Sequence, residues 1–422
     1  MPFWNIVADD LTGALDTALQ FQKRRWSCVV STRPGTWPTL NSDSGAIALS
    51  TETRHLDTRT AASKTRAAIR AVWAEEDEGN PRLYKKTDSL LRGNIAAEIK
   101  AILDVVGKRS IVFSPAYPDG DRTTVDGIHR IDGQPVNEAF AGTDPVTPVR
   151  EAHIPTLLTS NGMLTVRHLP LSIVRGRNEA LTTAFVTAQQ DHIDVIVPDA
   201  ASNEDLLSIT HAMNKASITQ VCAGSAGLAQ QLADTDRSSK TLPSWNRATH
   251  VAAIVGTPSQ HTRNQVAQAV REINAKLVST ERNIGLATAI STARKAWGNR
   301  RPVIFDAVLS SPFARTDLAD HLDFIQNLAA TLRSETDDLN FILTGGDTAQ
   351  AALEGLGVEA LEIVGEIDWG VPVGIARESP SHGASIVTKG GTMGGPTSLV
   401  KAFQHLGHYR VMETSIGVTH GS

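Results

Sequence analysis

Short apolar runs alternate along this chain with longer stretches in which apolar residues recur every three or four positions. The runs are FWNIVA (3–8), SCVVST (27–32), GAIALS (45–50), RLYKK (82–86), RSIVFS (109–114) and IDVIVPD (193–199). Runs this short and rich in β-branched residues read as strands buried on both faces. Between them lie amphipathic stretches such as RTAASKTRAAIRAVWAEE and GNIAAEIKAILDVVG, whose spacing predicts helices. Alternation of this kind predicts an α/β fold with a mainly parallel sheet covered by helices.

The alternation halts at 233–249, ADTDRSSKTLPSWNRAT, a polar, proline-containing and aperiodic stretch that reads as a linker. It then restarts with HVAAIVGT, AKLVST, PVIFDAV and NFILTGG, and ends with GVPVGIA and ASIVTKGG. The pattern predicts two α/β domains with mainly parallel sheets and an interdomain cleft, over residues 1–235 and 246–422. One segment stands apart. Residues 114–154 are rich in proline and glycine and lack strong periodicity. They read as one long loop, and a loop of that length in a compact domain is usually functional.

The length of 422 residues suits two domains rather than one core. The formal net charge of -5 is spread without blocks, so neither nucleic acid nor a membrane surface is an expected partner. Cys28 and Cys222, the only two cysteines, lie in strand-like runs and provide neither a disulfide framework nor a zinc site. The start, MPFWNIVADD, lacks the basic and apolar regions of a signal peptide, and no apolar run has the length of a membrane span. A cytoplasmic protein is expected. The thirteen histidines show no metal-ligand spacing, and His261 reads as a helix-start residue. No arrangement suggests a Ser/His/Asp triad.

Ligands of open α/β sheets bind beyond the carboxyl ends of the strands, and the informative residues follow the strand runs. The second domain offers VGTPSQHT, TGGDTA and TKGGTMGG. Glycine lets backbone approach a ligand, and helix N-termini present N–H groups to anions. One such turn is only a tight βα connection, but three in one domain point to phosphate. They put Ser259, Thr344, Gly345, Gly346, Lys389, Gly390, Gly391 and Thr392 at a phosphate. Asp347 is either a helix cap or a carboxylate for Mg²⁺.

The first domain offers charge instead. In KKTDSLLRGN, Lys86, Asp88, Ser89 and Arg92 cluster where a strand run meets a helix pattern, and Arg122 follows in the PDGDR stretch. Such a set suits a small polyhydroxy acid, because arginine offers carboxylates a planar fork. The other reading is a salt-bridged turn with Asp88 or Ser89 as cap. Asp9 and Asp10 open the first helix pattern in VADDLTGALD. One cap is enough, and neighbouring side chains in extended backbone point to opposite faces. The second carboxylate can therefore receive a proton from a substrate hydroxyl. Asp10 is the favoured base, with Asp9 and then Asp347 as alternatives.

ADDLTGALD, KKTDSLLRGN, SPAYPDGDRT, VPDA, CAGSAGLA, TGGDTA and TKGG occur here in the order found in the four-carbon acid sugar kinase family, which the chain resembles from about Val7 to about Phe403. The resemblance implies ATP-dependent phosphorylation of a hydroxyl, with the terminal one expected, of an acid such as threonate, erythronate or 3-oxo-tetronate. It implies an N-terminal domain for the acid, with Asp10, Lys86, Asp88 and Arg92, and a C-terminal domain for nucleotide, with Ser259, Gly345, Gly346 and Gly390. In such a reaction Mg²⁺ and glycine-turn N–H groups hold the transferring phosphoryl group, Lys86 and Arg92 anchor the carboxylate, and domain closure excludes water. Two motifs depart from the family pattern. KGGTMGGP stands for a Lys-Ser-Gly and later Phe-Gly run, and GTPSQHT for a Gly-Ser-containing turn. Both keep small residues and bear on the base pocket. The residues also allow a decarboxylase, aldolase or isomerase of a phosphorylated sugar acid, or a sugar-acid sensor. Partners are then the small acid and ATP, and the chain could assemble as a homo-oligomer.

Overall fold

The computed structural model describes residues 4–38, 45–73, 82–107, 110–144, 146–160, 162, 164–234, 243–280, 285–308, 315–377 and 380–410. It forms two compact units. The first comprises Met1–Leu242 with Ala360–Ile363, the second Pro243–Glu359 with Val364–Ser422. The middle of the expected linker, 235–242, lies outside the described residues.

The first unit contains β1 (Trp4–Ala8), α1 (Leu11–Gln22), β2 (Cys28–Ser31), β3 (Ala46–Ser50), α2 (Thr58–Trp73), β4 (Arg82–Lys86), α3 (Ile95–Val106) and β5 (Ile111–Ser114). It continues with β6 (Arg122–Val125), β7 (Ile128–Ile131), β8 (Gln134–Pro135), α4 (Ile154–Thr159), β9 (Val166–Leu169), α5 (Leu171–Val174) and α6 (Asn178–Gln190). It ends with β10 (Val195–Pro198), α7 (Asn203–Lys215), β11 (Val221–Gly224) and α8 (Ala226–Asp234). Eight strands pair in parallel in the order β2-β3-β1-β4-β11-β5-β10-β9. Ala360–Ile363 adds an antiparallel edge on β2. Because both faces are covered, the strands are apolar throughout rather than alternating, and β1 and β3 are buried at every position. In α2 the buried positions Ala61, Thr65, Ala68 and Ile69 follow the helical repeat. Ala68 and Ile69 pack with Ile95, Ile99, Ile102 and Val106 of α3 over Val7, Leu49, Leu83 and Phe113.

The second unit contains β12 (His250–Val255), α9 (Gln260–Glu272), β13 (Lys276–Ser279), α10 (Leu286–Gly298), β14 (Val303–Asp306), α11 (Arg315–Glu335) and β15 (Leu339–Thr344). After these come α12 (Gly346–Gly355), β16 (Ala360–Asp368), β17 (Val371–Arg377), β18 (Ser385–Lys389) and α13 (Ser398–Leu406). The order is β13-β14-β12-β15-β18-β17-β16. The first five are parallel, and β17 runs antiparallel to β18. Its core joins Val251, Ala253 and Val255 to Val266, Ala269, Leu399 and Phe403.

The α/β alternation is therefore present in both units. The structure corrects one expectation. Residues 114–154 are not a structureless loop, because they carry the antiparallel sheet β6-β7-β8. Its two connections are Asp126-Gly127 and Asp132-Gly133, all four residues with positive φ (54°, 71°, 49° and 80°). Those are the two-residue turns whose twist matches paired antiparallel strands, and Asp-Gly is among their preferred sequences. Strands β9 and β16 were also not anticipated.

Candidate active site

The parallel strands of the first unit end on a common row. Ala8 lies opposite Ser50 and Lys86, Lys86 opposite Gly224, and Gly224 opposite Ser114. The residues just beyond that row carry the charge. Asp10 has an extended backbone (φ -147°, ψ 162°) and caps α1 by accepting from the Gly13 N–H at 2.8 Å. Gly13 is required by crowding: a Cβ there would lie 2.6 Å from Asp10 Oδ1 and 3.1 Å from Lys86 Nζ. The capping carboxylate and the Lys86 ammonium thus flank one point.

Asp9 is 1% exposed and faces Arg54, which sequence reasoning missed. Arg54 donates from Nε to Asp9 Oδ2 at 2.8 Å and from Nη2 to Asp9 Oδ1 at 3.0 Å. Its Nη1 donates to Asp10 Oδ2 at 2.5 Å, and Asp88 Oδ1 lies 3.8 Å from Nη2. The Thr53 and Arg54 N–H groups both donate to the Asp9 carbonyl, which fixes the segment after β3 beside the one after β1. Burial is the largest influence on Asp9 and pushes its pKa up, but Arg54, Lys85 and Lys86 together hold it below the ordinary carboxylate value. Burial likewise disfavours charge on Arg54, and Asp10, Asp9 and Asp88 outweigh it to raise its pKa.

The turn after β4 is organised on Asp88. Its carboxylate accepts from the Leu90 and Arg92 N–H groups, and from Arg92 Nε (2.8 Å) and Nη2 (3.0 Å). Arg92 Nη1 donates to Asp144 at 3.1 Å. Burial raises the Asp88 pKa, and Arg92 and Arg54 reverse that to leave it far below the usual range. The Ser89 carbonyl accepts from His129 Nε2 at 2.9 Å. A carbonyl can only accept, so that nitrogen carries the proton, while Nδ1 faces the Thr124 hydroxyl at 3.0 Å. Burial pushes His129 down to about 4, against its bond to Ser89, and keeps it neutral. Beneath the site, Lys85 (0% exposed) pairs with buried Glu98 at 3.3 Å, and Glu98 also accepts from the Thr53 hydroxyl. Lys86 Nζ donates to the Thr87 carbonyl at 2.9 Å. Arg122, at the start of β6, donates from Nη1 to the Gly120 carbonyl.

The second unit repeats the row with different chemistry. Val255 lies opposite both Asp306 and Thr344, and Thr344 opposite Lys389. Gly345 (φ 95°) occupies the cap position of α12 and donates to the Lys389 carbonyl at 3.1 Å. A Cβ on Gly256 would meet Thr348 Oγ1 at 1.7 Å, and one on Gly391 would meet Thr257 Oγ1 at 2.5 Å. Gly346 opens α12, and Asp347 is an exposed first-turn residue rather than the cap. Ser259 caps α9 by position, with no side-chain cap bond. His261 stands in the first turn of α9 and meets the Gly394 carbonyl at 2.7 Å. Lys389 is 3% exposed and donates to Thr262 Oγ1 and to the Gly390 carbonyl, each at 3.0 Å. Burial pushes its pKa down to about 8. The Thr344 hydroxyl is buried without a partner. Gly391 is half-buried and Thr392 exposed at the same turn.

These residues suit a nucleotide. Two helix N-termini, glycines where a Cβ would crowd threonine side chains, and a buried ammonium with no carboxylate partner among the described residues make an anion cradle. No group of three or more His, Cys, Asp or Glu suited to a metal occurs among the described residues. Mg²⁺ that arrives with phosphates needs only one or two carboxylates, and Asp306 and Asp347 stand at these strand ends.

Paired charges at the strand ends of one α/β unit and an anion cradle at those of another fit a two-domain phosphotransferase. Residues 4–232 match a family described as a sugar-binding N-terminal domain, and residues 252–399 one described as a nucleotide-binding C-terminal domain. The chain is 31% identical over 417 residues to a D-threonate kinase of Bordetella bronchiseptica, across 96% of this chain and 97% of the relative. It is 25% identical over 427 residues to a 3-oxo-tetronate kinase of Cupriavidus necator, across 96% and 98%. A crystal structure from Salmonella typhimurium LT2 shares the fold, with a TM-score of 0.81 at 23% identity, over 96% of this chain and 100% of that one. The chain belongs to the four-carbon acid sugar kinase family.

Of the expected first-unit residues, Asp9, Asp10, Lys86 and Asp88 come together at one end of the sheet. Arg92 stands on the same turn with its side chain tied to Asp88 and Asp144, and Ser89 contributes its carbonyl to His129. Arg54, His129 and the Lys85–Glu98 pair were missed. Arg54 had a signal, since TETRHLD directly follows the strand run GAIALS.

Proposed function

We propose that the protein is an ATP-dependent kinase that phosphorylates a hydroxyl of a four-carbon sugar acid, with threonate, erythronate and 3-oxo-tetronate as the acids to test. The observation that carries this reading is the segregation of chemistry. Paired carboxylates and cations occupy the strand ends of the unit matching a sugar-binding domain, and glycine turns with Lys389 occupy those of the unit matching a nucleotide-binding domain.

Phosphoryl transfer asks a protein mainly for positioning and charge neutralisation. Asp10 orients the acceptor hydroxyl and takes its proton as the new O–P bond forms and the bond from the γ-phosphorus to the bridging oxygen breaks, releasing ADP. Its Oδ1 is fixed by the Gly13 N–H and its Oδ2 by Arg54, so little reorganisation is needed. Asp9, held by the Arg54 fork, fixes the guanidinium that in turn fixes Asp10. Lys86, flanking the same point as Asp10 Oδ1, balances charge beside the reacting oxygen. The helix N-termini at Ser259 and Gly346, with Lys389, hold the phosphates. Asp347, or Asp306 if it releases Arg263 Nη1 at 2.7 Å, would hold Mg²⁺ bound with ATP, which would supply further neutralisation of the phosphate charge. A requirement for ATP fits a cytoplasmic site of action.

The test is ADP formation with MgATP and each of the three acids in turn, with ³¹P NMR of the product to locate the phosphate. Acid-dependent ADP formation with a phosphorylated tetronate supports the reading. An acid that is consumed without ATP, or bound without turnover, would replace the kinase by a lyase, an isomerase or a sensor.

A further inference from the structure

The three arginines of the first unit's site stand in different electrostatic states. Arg54 gives Nε and Nη2 to Asp9 and Nη1 to Asp10. Arg92 gives Nε and Nη2 to Asp88 and Nη1 to Asp144. Each is neutralised by carboxylates of the fold and offers an incoming anion little net attraction. Arg122 differs. Its Nη1 donates to the Gly120 carbonyl, its Nε is buried with no hydrogen-bond partner, and no carboxylate among the described residues pairs with it. Burial is the largest influence on it and pushes its pKa down, while Asp132, Asp88 and Asp121 pull it up less strongly. Here is a half-buried guanidinium that has lost solvent and has no carboxylate partner among the described residues.

Its mounting is rigid. Arg122 opens β6, opposite Ile131 of β7. The Asp126-Gly127 turn of that hairpin is fastened to the end of β10, where buried Asp199 accepts from the Asp126 N–H (2.8 Å), the Gly127 N–H (3.0 Å) and His168 Nε2 (2.8 Å). The next strand of the hairpin carries His129, which donates to the Ser89 carbonyl on the turn that holds Asp88. The hairpin is thereby tied to the charged turn after β4, and Arg122 stands within electrostatic range of Asp88 and His129.

We propose that Arg122, rather than Arg92, is the receptor for the substrate carboxylate, and that the small sheet β6-β7-β8 exists to present it. Arg54 and Arg92 then act as fixed counter-ions that keep Asp9, Asp10 and Asp88 in place. The inference rests on the sugar-acid kinase reading and names the group that makes the site select an acid. A guanidinium with an unused Nε can meet a carboxylate through two N–H donors, a geometry lysine lacks.

The experiment compares wild type, Arg122→Gln, Arg122→Lys and Arg92→Gln. For each, kcat and KM are measured with MgATP on D-erythronate and D-threonate and on their uncharged reduction products erythritol and threitol. Thermal melting of each variant is recorded alongside. Arg122→Gln should raise KM for the acids by about 10- to 100-fold, the loss of a charged hydrogen bond, with a smaller change in kcat. Its kcat/KM preference for acid over alcohol should fall by a similar factor, and Arg122→Lys should recover part of it. Arg92→Gln should lower the melting temperature and depress acid and alcohol alike. An acid preference that survives in Arg122→Gln, or that disappears in Arg92→Gln alone, overturns the assignment. If wild type phosphorylates none of the four compounds and no 3-oxo-tetronate either, the kinase reading fails by itself, and calorimetric binding of the two acids decides the receptor. Binding that Arg122→Gln abolishes supports it. Binding that Arg122→Gln retains, or no binding by wild type, overturns it.

Discussion

Arg54→Met replaces the guanidinium by an apolar chain of similar reach and leaves Asp9 buried without the two bonds at 2.8 and 3.0 Å that now satisfy it. Breaking a buried ion pair by removing one partner costs about 3–5 kcal/mol, because the remaining charge is stranded. The pH dependence sharpens the expectation. In the native protein the folded pKa of Asp9 lies below its unfolded value of about 3.8, so its contribution is complete above that pH and is lost as pH falls through the folded pKa. Without Arg54 the largest lowering influence is gone, and burial should carry the folded pKa above the unfolded one against Lys85 and Lys86. The penalty is then full at neutral pH and shrinks as pH falls toward the unfolded value, since the folded protein now binds the extra proton. The destabilisation relative to wild type should therefore be larger at pH 7 than at pH 5, by about 1.4 kcal/mol for each unit of the Asp9 shift spanned. Urea unfolding of the first unit, followed through buried Trp4 at both pH values, measures it. The double variant Asp9→Asn/Arg54→Met should be more stable at pH 7 than Arg54→Met alone. A loss below about 1 kcal/mol, or one that does not change between pH 7 and pH 5, would mean Arg54 is not what keeps Asp9 charged.

Asp10→Asn keeps an oxygen for the Gly13 N–H but cannot take a proton, so kcat should fall about a hundredfold or more while KM for ATP stays unchanged. Normal turnover in that variant removes Asp10 from the base role. Lys389, with a pKa of about 8, is charged below that pH and must gain a proton to meet phosphate above it. ATP affinity should thus decline as pH rises past 8, by up to about tenfold per unit, and a titration of Lys389→Met should show weaker binding without that decline. Gly345→Ala forces a side chain into φ 95° at the cap of α12, which should cost about 1–2 kcal/mol and raise KM for ATP more than KM for the acid. Equal effects on both KM values would argue against nucleotide at this turn.

How far the sequence carried depended on whether each signal was local. Buried parallel strands declare themselves as short apolar runs, and helices such as α2 and α3 by their spacing, so the alternation was readable in both units. The carboxyl-end rule located Asp9, Asp10, Lys86 and Asp88, and also the glycine turns, because each follows its strand within a few residues. Arg54 obeyed the same rule and was passed over because an isolated arginine carries no signature of its own. Its meaning comes from parallel pairing, which sets Ser50 opposite Ala8 and so brings the segment after β3 against Asp9. Lys85 and Glu98, at adjacent elements, are invisible as a pair until α3 packs on β4. Strand β16 has an ordinary composition, and its pairing with β2 joins residues more than three hundred positions apart.

The sheet of β6, β7 and β8 is the instructive case, because its signal was present and local. A search for apolar periodicity finds nothing in RTTVDGIHRIDGQP, since its strands are short and polar: Arg122, Thr123, His129 and Arg130 stand where β-branched apolar residues would mark a core strand. The punctuation is nonetheless explicit, with Asp-Gly twice at six-residue spacing and four positive φ angles to match. A hairpin with so little apolar surface cannot hold itself in place. It is fastened instead by polar groups, through Asp199 at its turn and through His129 to Ser89. Buried polar fastenings cost desolvation at every group and are tolerated only when each donor meets an acceptor. Here His129 and Asp199 are satisfied, while Arg122 Nε on the same hairpin is not. Arg24 and Arg263 also leave Nε unmatched, but each pairs with a carboxylate, Asp234 and Asp306; Arg122 has no such partner among the described residues, and an anionic substrate is the ligand that would complete it.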